Sequence, residues 1–312
     1  MKILLDLNSS ITKKNSKKLG GIESLNIGLF NNLKGTFKQI TLKYKNKKIY
    51  FNNKWDVIIS SNNARVFNRD KKQKYILWIH NEIQIEKAIR KRQLIPILKN
   101  NIHAVFVSKY LERVTSKIYN FKTRNIIPNF LDKKFENLKL NFRRKPMFIW
   151  SVQRDDGLSE TITMWIKTVQ KHNSYAELHI FGIKKFRFYK KLEKYNIFFH
   201  GRVDKNILIK FYKKSMAMIC LGYDETFCLN AIESMSCGLP VLSFKKTALK
   251  DLIKNNINGF KLDNFQDLSK KIIFLINMDR EKRTKIINKT YEYSQKFYFK
   301  NIKNKWISLI SK

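Results

Sequence analysis

Short apolar runs alternate with segments of helical periodicity along the whole chain. The runs 75–79 (YILWI) and 104–108 (AVFVS) have the length of buried parallel strands, and each precedes a segment with helical spacing. This alternation predicts an α/β fold built on parallel sheets. Further strands are predicted at 2–7, 37–43, 57–60, 147–151, 176–181, 197–200, 216–221 and 241–244. Helices are predicted at 22–33, 83–99, 109–119, 226–236, 247–252, 266–277, 280–295 and 299–310.

The stretch 216–262 carries the clearest pattern. An apolar run at 216–221 leads through a polar turn into helically spaced residues at 226–236. Gly238-Leu239-Pro240 ends this predicted helix, because glycine suits a C-terminal cap and proline cannot continue the helix. With the strand at 241–244, the stretch forms a β-α-β unit. Its helix N-terminus should lie at the carboxyl edge of a parallel sheet, where phosphate groups commonly bind.

Two carboxylates flank this predicted helix. Glu225 stands at its start and Glu233 follows eight residues later, which corresponds to about 12 Å of helical rise. The pair could therefore contact two parts of an elongated ligand, but the spacing does not suit a shared proton or a shared metal ion. The alternative is that one glutamate is solvated and the other caps the helix.

Two smaller signals lie in the first half of the chain. Gly20 and Gly21 follow the strand 2–7 and a lysine-rich loop, an arrangement in which backbone N–H groups can approach a phosphate. An ordinary helix start explains the glycine pair equally well. His80 follows the strand 75–79, where a histidine would titrate near neutrality at a sheet edge. Its alternative role is a structural cap on the next helix.

The length of 312 residues suits two α/β domains. No apolar run reaches 18 residues, so no transmembrane helix is expected. Residues 1–7 are too short, and Asp6 comes too early, for a signal peptide. The cysteines Cys220, Cys228 and Cys237 have the spacing of neither a disulfide framework nor a metal site, which fits a reducing cytoplasm.

The formal net charge is +40. Lysine outnumbers arginine 51 to 13, and the lysines are spread along the chain. A nucleic-acid-binding protein would instead concentrate its basic residues in a stripe with stacking aromatic residues, so binding to nucleic acid is not expected. Two explanations of the charge stay open. One is an A+T-rich coding sequence, and the other is attraction to an anionic membrane surface or an anionic acceptor.

The segment YDETFCLNAIESMSCGLPVLSF, with its E-x7-E spacing, and the later LIKNNINGFKL resemble the donor site of glycosyltransferase family 4. The resemblance implies the GT-B fold, in which two Rossmann-like α/β domains with parallel sheets face each other across a cleft. The expected domains are 1–143 on the acceptor side and 147–297 on the nucleotide-sugar side, with a final helix, 298–312, crossing back to the first domain. The linker is expected at 141–146 (NFRRKP). Thr226 and Cys228 depart from the family, which often has glycine there.

The resemblance also implies roles for individual residues. His80 and Glu225 would contact the transferred sugar as catalytic residues, and Glu233 would bind the ribose. The full set of implied donor-binding residues is Gly20, Gly21, Arg154, Val203, Thr226, Phe227, Cys228, Leu229 and Glu233. Asp156 stands where the family has a phosphate-binding lysine, with Lys184 or Lys185 as candidate substitutes. Arg154 could instead form a surface ion pair.

The implied activity is a metal-independent, retaining hexosyltransferase that uses a nucleotide-diphosphate sugar as substrate and needs no cofactor. Its acceptor would be a glycan or a lipid-linked molecule in cell-envelope polysaccharide synthesis. The expected location is cytoplasmic, with attachment to the inner face of the membrane left open. Because of Asp156, a donor-binding relative without transfer activity is a second hypothesis.

Overall fold

The computed structural model describes residues 1–7, 20–43, 55–67, 72–152, 155–183 and 189–312. The chain divides into two compact units. The first consists of Met1–Asp132 together with Phe299–Lys312, and the second of Lys133–Tyr298. Each unit contains one six-stranded parallel sheet with helices between the strands, so the predicted α/β fold is confirmed.

The sheet of the first unit has the strand order β2-β1-β3-β4-β5-β6, and every neighbouring pair is parallel. Its strands are β1 (Lys2–Asp6), β2 (Gln39–Lys43), β3 (Val57–Ser61), β4 (Lys74–Ile79), β5 (Ile102–Phe106) and β6 (Thr123–Ile126). Its helices are α1 (Gly21–Leu33), α2 (Ile85–Arg90), α3 (Leu94–Lys99) and α4 (Lys109–Val114), with a 3-10 turn at Ala64–Val66.

The sheet of the second unit has the order β12-β11-β10-β7-β8-β9. Its strands are β7 (Met147–Trp150), β8 (Glu177–Phe181), β9 (Ile197–Gly201), β10 (Ala217–Ile219), β11 (Val241–Phe244) and β12 (Gly259–Leu262). Its helices are α5 (Leu158–Met164), α6 (Gln170–His172), α7 (Lys205–Lys214), α8 (Leu229–Ser236), α9 (Thr247–Leu252), α10 (Phe265–Ile276) and α11 (Arg280–Gln295). A π-helical turn, Trp165–Val169, joins α5 to α6, and 3-10 turns lie at Lys133–Phe135 and Tyr189–Tyr195.

The last helix, α12 (Phe299–Ser311), belongs to the first unit. The Trp306 ring is completely buried and meets the Trp78 ring of β4 edge-on, with 4.9 Å between centroids. Phe299 packs on Phe130 in the same geometry, also at 4.9 Å. This aromatic contact explains why a helix at the end of the sequence joins a sheet formed at its beginning.

No helix in the described ranges combines the length and the apolar character needed to cross a bilayer.

The predicted linker, 141–146, is packed into the second unit. The guanidinium of the half-buried Arg144 donates hydrogen bonds to the carbonyl oxygens of Tyr212 (2.6 Å) and Cys237 (2.8 Å). The Asn141 side chain donates to the carbonyl oxygen of Lys213 at 3.0 Å. Burial lowers the pKa of Arg144 to about 10. The range predicted as a linker is thus held by hydrogen bonds to the second unit, and the change from one unit to the next falls after Asp132.

The prediction of one continuous helix over 83–99 is wrong. The segment forms the two short helices α2 and α3, because Arg92 adopts a left-handed conformation with φ 52° and interrupts the helical path. Pro96 lies in the first turn of α3, where its missing N–H costs no hydrogen bond. In a continuous helix the same proline would have removed one.

Gly259 gives the fold a sharp stability test. A methyl group at this position would overlap the backbone carbonyl of Val241 on the paired strand β11, whereas a methyl group at Gly35 would meet nothing within 4 Å. We expect Gly259→Ala to lower the free energy of unfolding by about 1–3 kcal/mol or more, since backbone atoms cannot move aside. Gly35→Ala should be neutral or slightly stabilising. Urea denaturation of both variants checks this, and equal midpoints would contradict the β11–β12 pairing.

Candidate functional site

The second sheet reverses its strand order beside β7. The chain adds β8 and β9 on one side of β7 and then adds β10, β11 and β12 on the other. Connections that run in opposite directions place their helices on opposite faces of the sheet, which opens a crevice at the carboxyl ends of the two strands involved. The segments that follow β7 and β10 leave the sheet at this reversal; the structure describes 151–152 and 155–157 of the first and 220–228 of the second. Both carry residues predicted to bind the donor.

The start of the loop after β7 is firmly held. The hydroxyl groups of Ser151 and Tyr212 form a hydrogen bond of 2.6 Å, and the side-chain amide of Asn230 donates to the Ser151 carbonyl oxygen. Tyr212 is fully buried, and this burial raises the pKa of its hydroxyl well above the ordinary value. α7 and α8 therefore both fix the point from which the loop departs. Neither Tyr212 nor Asn230 was predicted from the sequence.

Gly157 brings the two loops of the reversal together. It has φ 82°, and α5 begins directly after it at Leu158. A Cβ atom on Gly157 would lie 2.7 Å from Leu221 Cδ1 and 3.0 Å from Tyr223 Cε2. The position therefore requires glycine for both its conformation and its close contact. Arg154 lies outside the described residues.

Lys184 and Lys185, the candidate substitutes for the missing lysine, also lie outside the described residues. Val203, by contrast, is described, and it is half-buried in the turn between β9 and α7.

The predicted start of the helix at Thr226 is wrong. The helix α8 begins at Leu229, and Cys228 before it has φ 69°, a conformation that residues with side chains rarely adopt. Glu225 therefore lies in the preceding loop, and the estimate of 12 Å of helical rise to Glu233 does not apply.

The backbone of this loop is anchored to α9. The carbonyl oxygen of Glu225 accepts a hydrogen bond of 3.0 Å from the N–H of Ala248, and the carbonyl oxygen of Gly222 accepts one of 2.6 Å from the Thr247 hydroxyl. The loop thus has a defined path even though it is not helical. The four predicted donor-binding residues from Thr226 to Leu229 form its end and the first position of α8.

Two thiols belong to the same loop, at its two ends. The sulfur atoms of Cys220 and Cys228 are 3.5 Å apart, and all three cysteines are free and buried. The contact with Cys220 and burial together raise the pKa of the Cys228 thiol. A carboxylate oxygen of Glu225 and these two sulfur atoms lie within 4.8 Å of one another, a set that could hold a metal ion. The spacing of the cysteines in the sequence did not suggest this cluster.

Glu233 is buried on α8 and forms an ion pair with Lys205. Its exposed fraction is 5%, and the Lys205 ammonium donates to Glu233 Oε1 at 2.9 Å. The ammonium also lies 5.4 Å from the centroid of the Phe135 ring. Glu233 is therefore neither solvated nor a helix cap, which removes the structural alternative considered for it. Lys205 was not predicted from the sequence, because the two residues are 28 positions apart and share no periodic pattern.

The sheet of the first unit has its own reversal, between β1 and β3. Asp6, at the carboxyl end of β1, is buried there and accepts a hydrogen bond of 3.3 Å from the Ser60 hydroxyl. The Lys43 ammonium lies 3.7 Å from the other carboxylate oxygen of Asp6. Burial raises the pKa of the Asp6 carboxyl, although Lys43 opposes this effect. α1 begins close to the predicted position, with Gly20 as its N-cap and Gly21 as its first residue.

His80 lies at the carboxyl end of β4 and is almost completely buried. Its backbone N–H donates to Asn62 Oδ1 at 2.8 Å, and its ring packs on Trp78 with 4.5 Å between centroids. Burial lowers the pKa of His80 to about 3, so the expectation of titration near neutrality is wrong. It does not cap the next helix either, because α2 begins only at Ile85. At pH 7 it offers a neutral imidazole.

Comparison with solved structures places the fold in the GT-B class of glycosyltransferases. WaaG, a glycosyltransferase involved in lipopolysaccharide biosynthesis, aligns over 99% of this chain and 99% of its own, with a TM-score of 0.71 and 12% identity. The Anabaena protein HepE, solved in complex with UDP, aligns over 100% of both chains, with a TM-score of 0.67 and 15% identity. At such low identity these similarities show the fold alone.

The sequence family described as "Glycosyl transferases group 1" matches residues 132–293, just over half of the chain. The chain therefore belongs to this family of glycosyltransferases. An uncharacterized glycosyltransferase of Methanocaldococcus jannaschii is 28% identical over an alignment of 180 residues, which covers 50% of this chain and 45% of that protein. The chain thus matches less than half the length of this curated relative.

The buried His80 predicts a specific pH dependence. Its folded pKa is below the unfolded value of 6.5, so the unfolded chain binds a proton at a pH at which the folded chain does not. The free energy of unfolding should therefore fall as the pH decreases from 6.5, by up to about 1.4 kcal/mol per pH unit from this residue. His80→Gln should remove this contribution to the dependence of the free energy of unfolding on pH. Urea denaturation between pH 4 and pH 6.5 measures it, and parallel slopes for the two proteins would contradict the burial.

Proposed function

We propose that this glycosyltransferase moves a sugar from a nucleotide-diphosphate sugar to a glycan or lipid-linked acceptor with retention of anomeric configuration. The proposed process is cell-envelope polysaccharide synthesis. Family membership supports sugar transfer as such. Retention, the donor and the acceptor belong to the proposal, which is supported by the residues at the two sheet reversals and by the bound UDP of HepE.

The observation that best supports a donor site is the environment of Glu233. Its buried carboxylate pairs with Lys205. It lies one helix turn into α8, beside the reversal of the second sheet. A carboxylate accepts hydrogen bonds from two neighbouring hydroxyl groups, as a ribose presents them. We assign Glu233 to the ribose of the nucleotide. Val203, in the turn after β9, is assigned to the nucleobase.

The diphosphate is assigned to the N-terminus of α8 and the loop before it. Backbone N–H groups at a helix N-terminus favour phosphate oxygens, and they can stabilise the negative charge that grows on the diphosphate as it leaves the sugar. Phe227 and Cys228 anchor this loop, since both side chains are buried. Arg154 is assigned to the same diphosphate on sequence grounds.

The reaction itself forms a bond between the acceptor oxygen and the anomeric carbon while the bond from that carbon to the diphosphate oxygen breaks. In the proposed mechanism the acceptor attacks from the face that the diphosphate leaves, and the departing phosphate takes the acceptor's proton. Glu225 is assigned to the sugar hydroxyl groups, His80 to the transferred sugar as a neutral hydrogen-bonding group, and Gly20 and Gly21 to the phosphates. The proposed reaction requires no metal ion or cofactor.

A donor-binding relative without transfer activity is the second candidate. It is favoured by Asp156, an exposed acidic residue where the resembled family has a phosphate-binding lysine. The two candidates differ in turnover. An active transferase releases nucleoside diphosphate from a nucleotide sugar when an acceptor is present, whereas a binding protein does not.

The lipid-linked acceptor also leads us to propose peripheral association with an anionic membrane surface. The net charge of +40 supports this association, since basic residues near a membrane are attracted to anionic lipids.

Replacing the two glutamates separately should show that one contributes to nucleotide binding and the other to turnover. We expect Glu233→Ala to weaken binding of the nucleoside diphosphate by about 1–3 kcal/mol, the loss of hydrogen bonds to a charged group. Glu225→Ala should slow transfer and leave that binding nearly unchanged, because Glu225 is assigned to the sugar. Isothermal titration calorimetry and a transfer assay measure the two effects.

Glu193→Ala, an exposed position in the same unit, is the control and should change neither quantity. Circular dichroism would verify that each variant is folded. Wild-type nucleotide affinity in a folded Glu233→Ala variant would show that the ribose assignment is wrong.

A further inference from the structure

Two short helices of the first unit present large aliphatic side chains to solvent. On α2 these are Ile85 and Ile89, exposed by 47% and 58%, and on α3 they are Ile95 and Leu98, exposed by 56% and 47%. α2 and α3 contact each other, and the N–H of Gln93 between them donates to the carbonyl oxygen of Ala88 on α2 at 2.8 Å. We call this pair of helices the α2–α3 surface. It is a local concentration of exposed apolar side chains, of the kind that marks interaction sites.

The exposed aliphatic residues are not the ones that hold the helices on the unit. α2 buries Ala88 and α3 buries Ile97, each on its inner face. Ile85 and Ile89 are four positions apart and Ile95 and Leu98 three, so each pair lies along one side of its helix. A helix that packs on a sheet normally directs polar residues outward. Here the outward sides are apolar as well, which the packing of this unit does not require.

Basic residues surround these aliphatic side chains. Five exposed cations lie in the same segment, against the two carboxylates of Glu82 and Glu86. The cations are Lys87, Arg90, Lys91, Arg92 and Lys99. Aliphatic side chains flanked by lysine and arginine are typical of helices that lie in the interface of a membrane, with the cations close to lipid phosphates.

We propose that the α2–α3 surface docks on an anionic lipid bilayer. The aliphatic side chains would enter the boundary between headgroups and acyl chains, and the cations would contact the anionic headgroups. A second copy of the chain fits this surface less well, because two identical basic surfaces would repel each other. The proposal rests on the membrane association proposed above, for which it names the surface, but not on sugar transfer, since docking needs neither donor nor acceptor. It identifies the surface by which the chain would reach a lipid-linked acceptor.

The position of the surface agrees with this role. The segment begins directly after His80, so it leaves the first sheet at the carboxyl end of β4. Residues assigned to the transferred sugar and residues assigned to the membrane are thus only a few positions apart in sequence. An acceptor carried by a lipid would enter the same edge of the first unit from the bilayer.

Sedimentation with lipid vesicles tests the proposal on the full chain. We expect strong binding to vesicles of phosphatidylglycerol and phosphatidylcholine at low salt, and weak binding to vesicles of phosphatidylcholine alone. Binding should largely disappear above about 0.3 M salt, where the Debye length falls below about 6 Å. Equal binding to both kinds of vesicle, or binding to neither, would overturn the proposal.

Two variants locate the binding surface, each with a matched control. The charge variant combines Lys87→Gln, Arg90→Gln and Lys91→Gln, and its control neutralises Lys250, Lys270 and Lys289, three exposed lysines of the second unit. The apolar variant combines Ile89→Gln and Leu98→Gln, and its control combines Ile207→Gln and Ile257→Gln, which are 43% and 40% exposed. All replaced residues are exposed, so the fold should persist.

We expect each α2–α3 variant to reduce the vesicle partition coefficient at least about tenfold, and each control to stay within about twofold of the wild type. If the charge variant and its control lose binding equally, the effect comes from net charge and the proposed surface is wrong. If the apolar variant binds like the wild type, no insertion takes place. If sedimentation velocity shows a dimer that only the α2–α3 variants dissociate, the surface joins two copies of the chain instead. Release of nucleoside diphosphate with a water-soluble acceptor should be unchanged in all four proteins, which separates this test from that of transfer.

Discussion

The reversal of strand order beside β7 is the constraint on which the candidate donor site depends. Parallel strands joined by right-handed crossovers leave two loops at this point with no helix between them. The positive φ of Gly157 and its contact with Leu221 and Tyr223 then bring the loops together. Ser151, clamped by Tyr212 and Asn230, fixes where the first of them begins. Substitutions in these loops can change which ligand binds while the sheet remains the same.

Each unit places one buried carboxylate near its reversal and holds it with a lysine. In the second unit Glu233 pairs with Lys205 at 2.9 Å, and in the first Asp6 pairs with Lys43 at 3.7 Å. A buried ion pair contributes little net stability, because desolvation offsets the attraction, but losing one partner is costly. Such pairs are therefore better explained by what they position than by the stability they add. For Glu233 that explanation is a carboxylate held ready for paired hydroxyl groups.

Much of the fold could be predicted from the sequence, because buried parallel strands are short apolar runs that stand out from polar loops. β11 and α11 have the predicted bounds. The errors lie where one residue's backbone overrides the periodic pattern: Cys228 with φ 69° delays α8 to Leu229, and Arg92 with φ 52° divides the helix predicted at 83–99. Pro96 is the one residue in the sequence that argues against a continuous helix over 83–99. Lys205 could not be predicted as the partner of Glu233, because contacts between distant segments leave no local pattern.

The central claim is that the second unit binds a nucleoside diphosphate. A thermal-shift panel of UDP, GDP, ADP and CDP on the full chain tests it most directly, because a ligand that binds only the folded state raises the melting temperature by mass action. At a concentration of about 100 Kd, one of the four should raise the melting temperature by about 5–10 °C, while the others have smaller effects. No shift with any of the four at millimolar concentration would contradict the account.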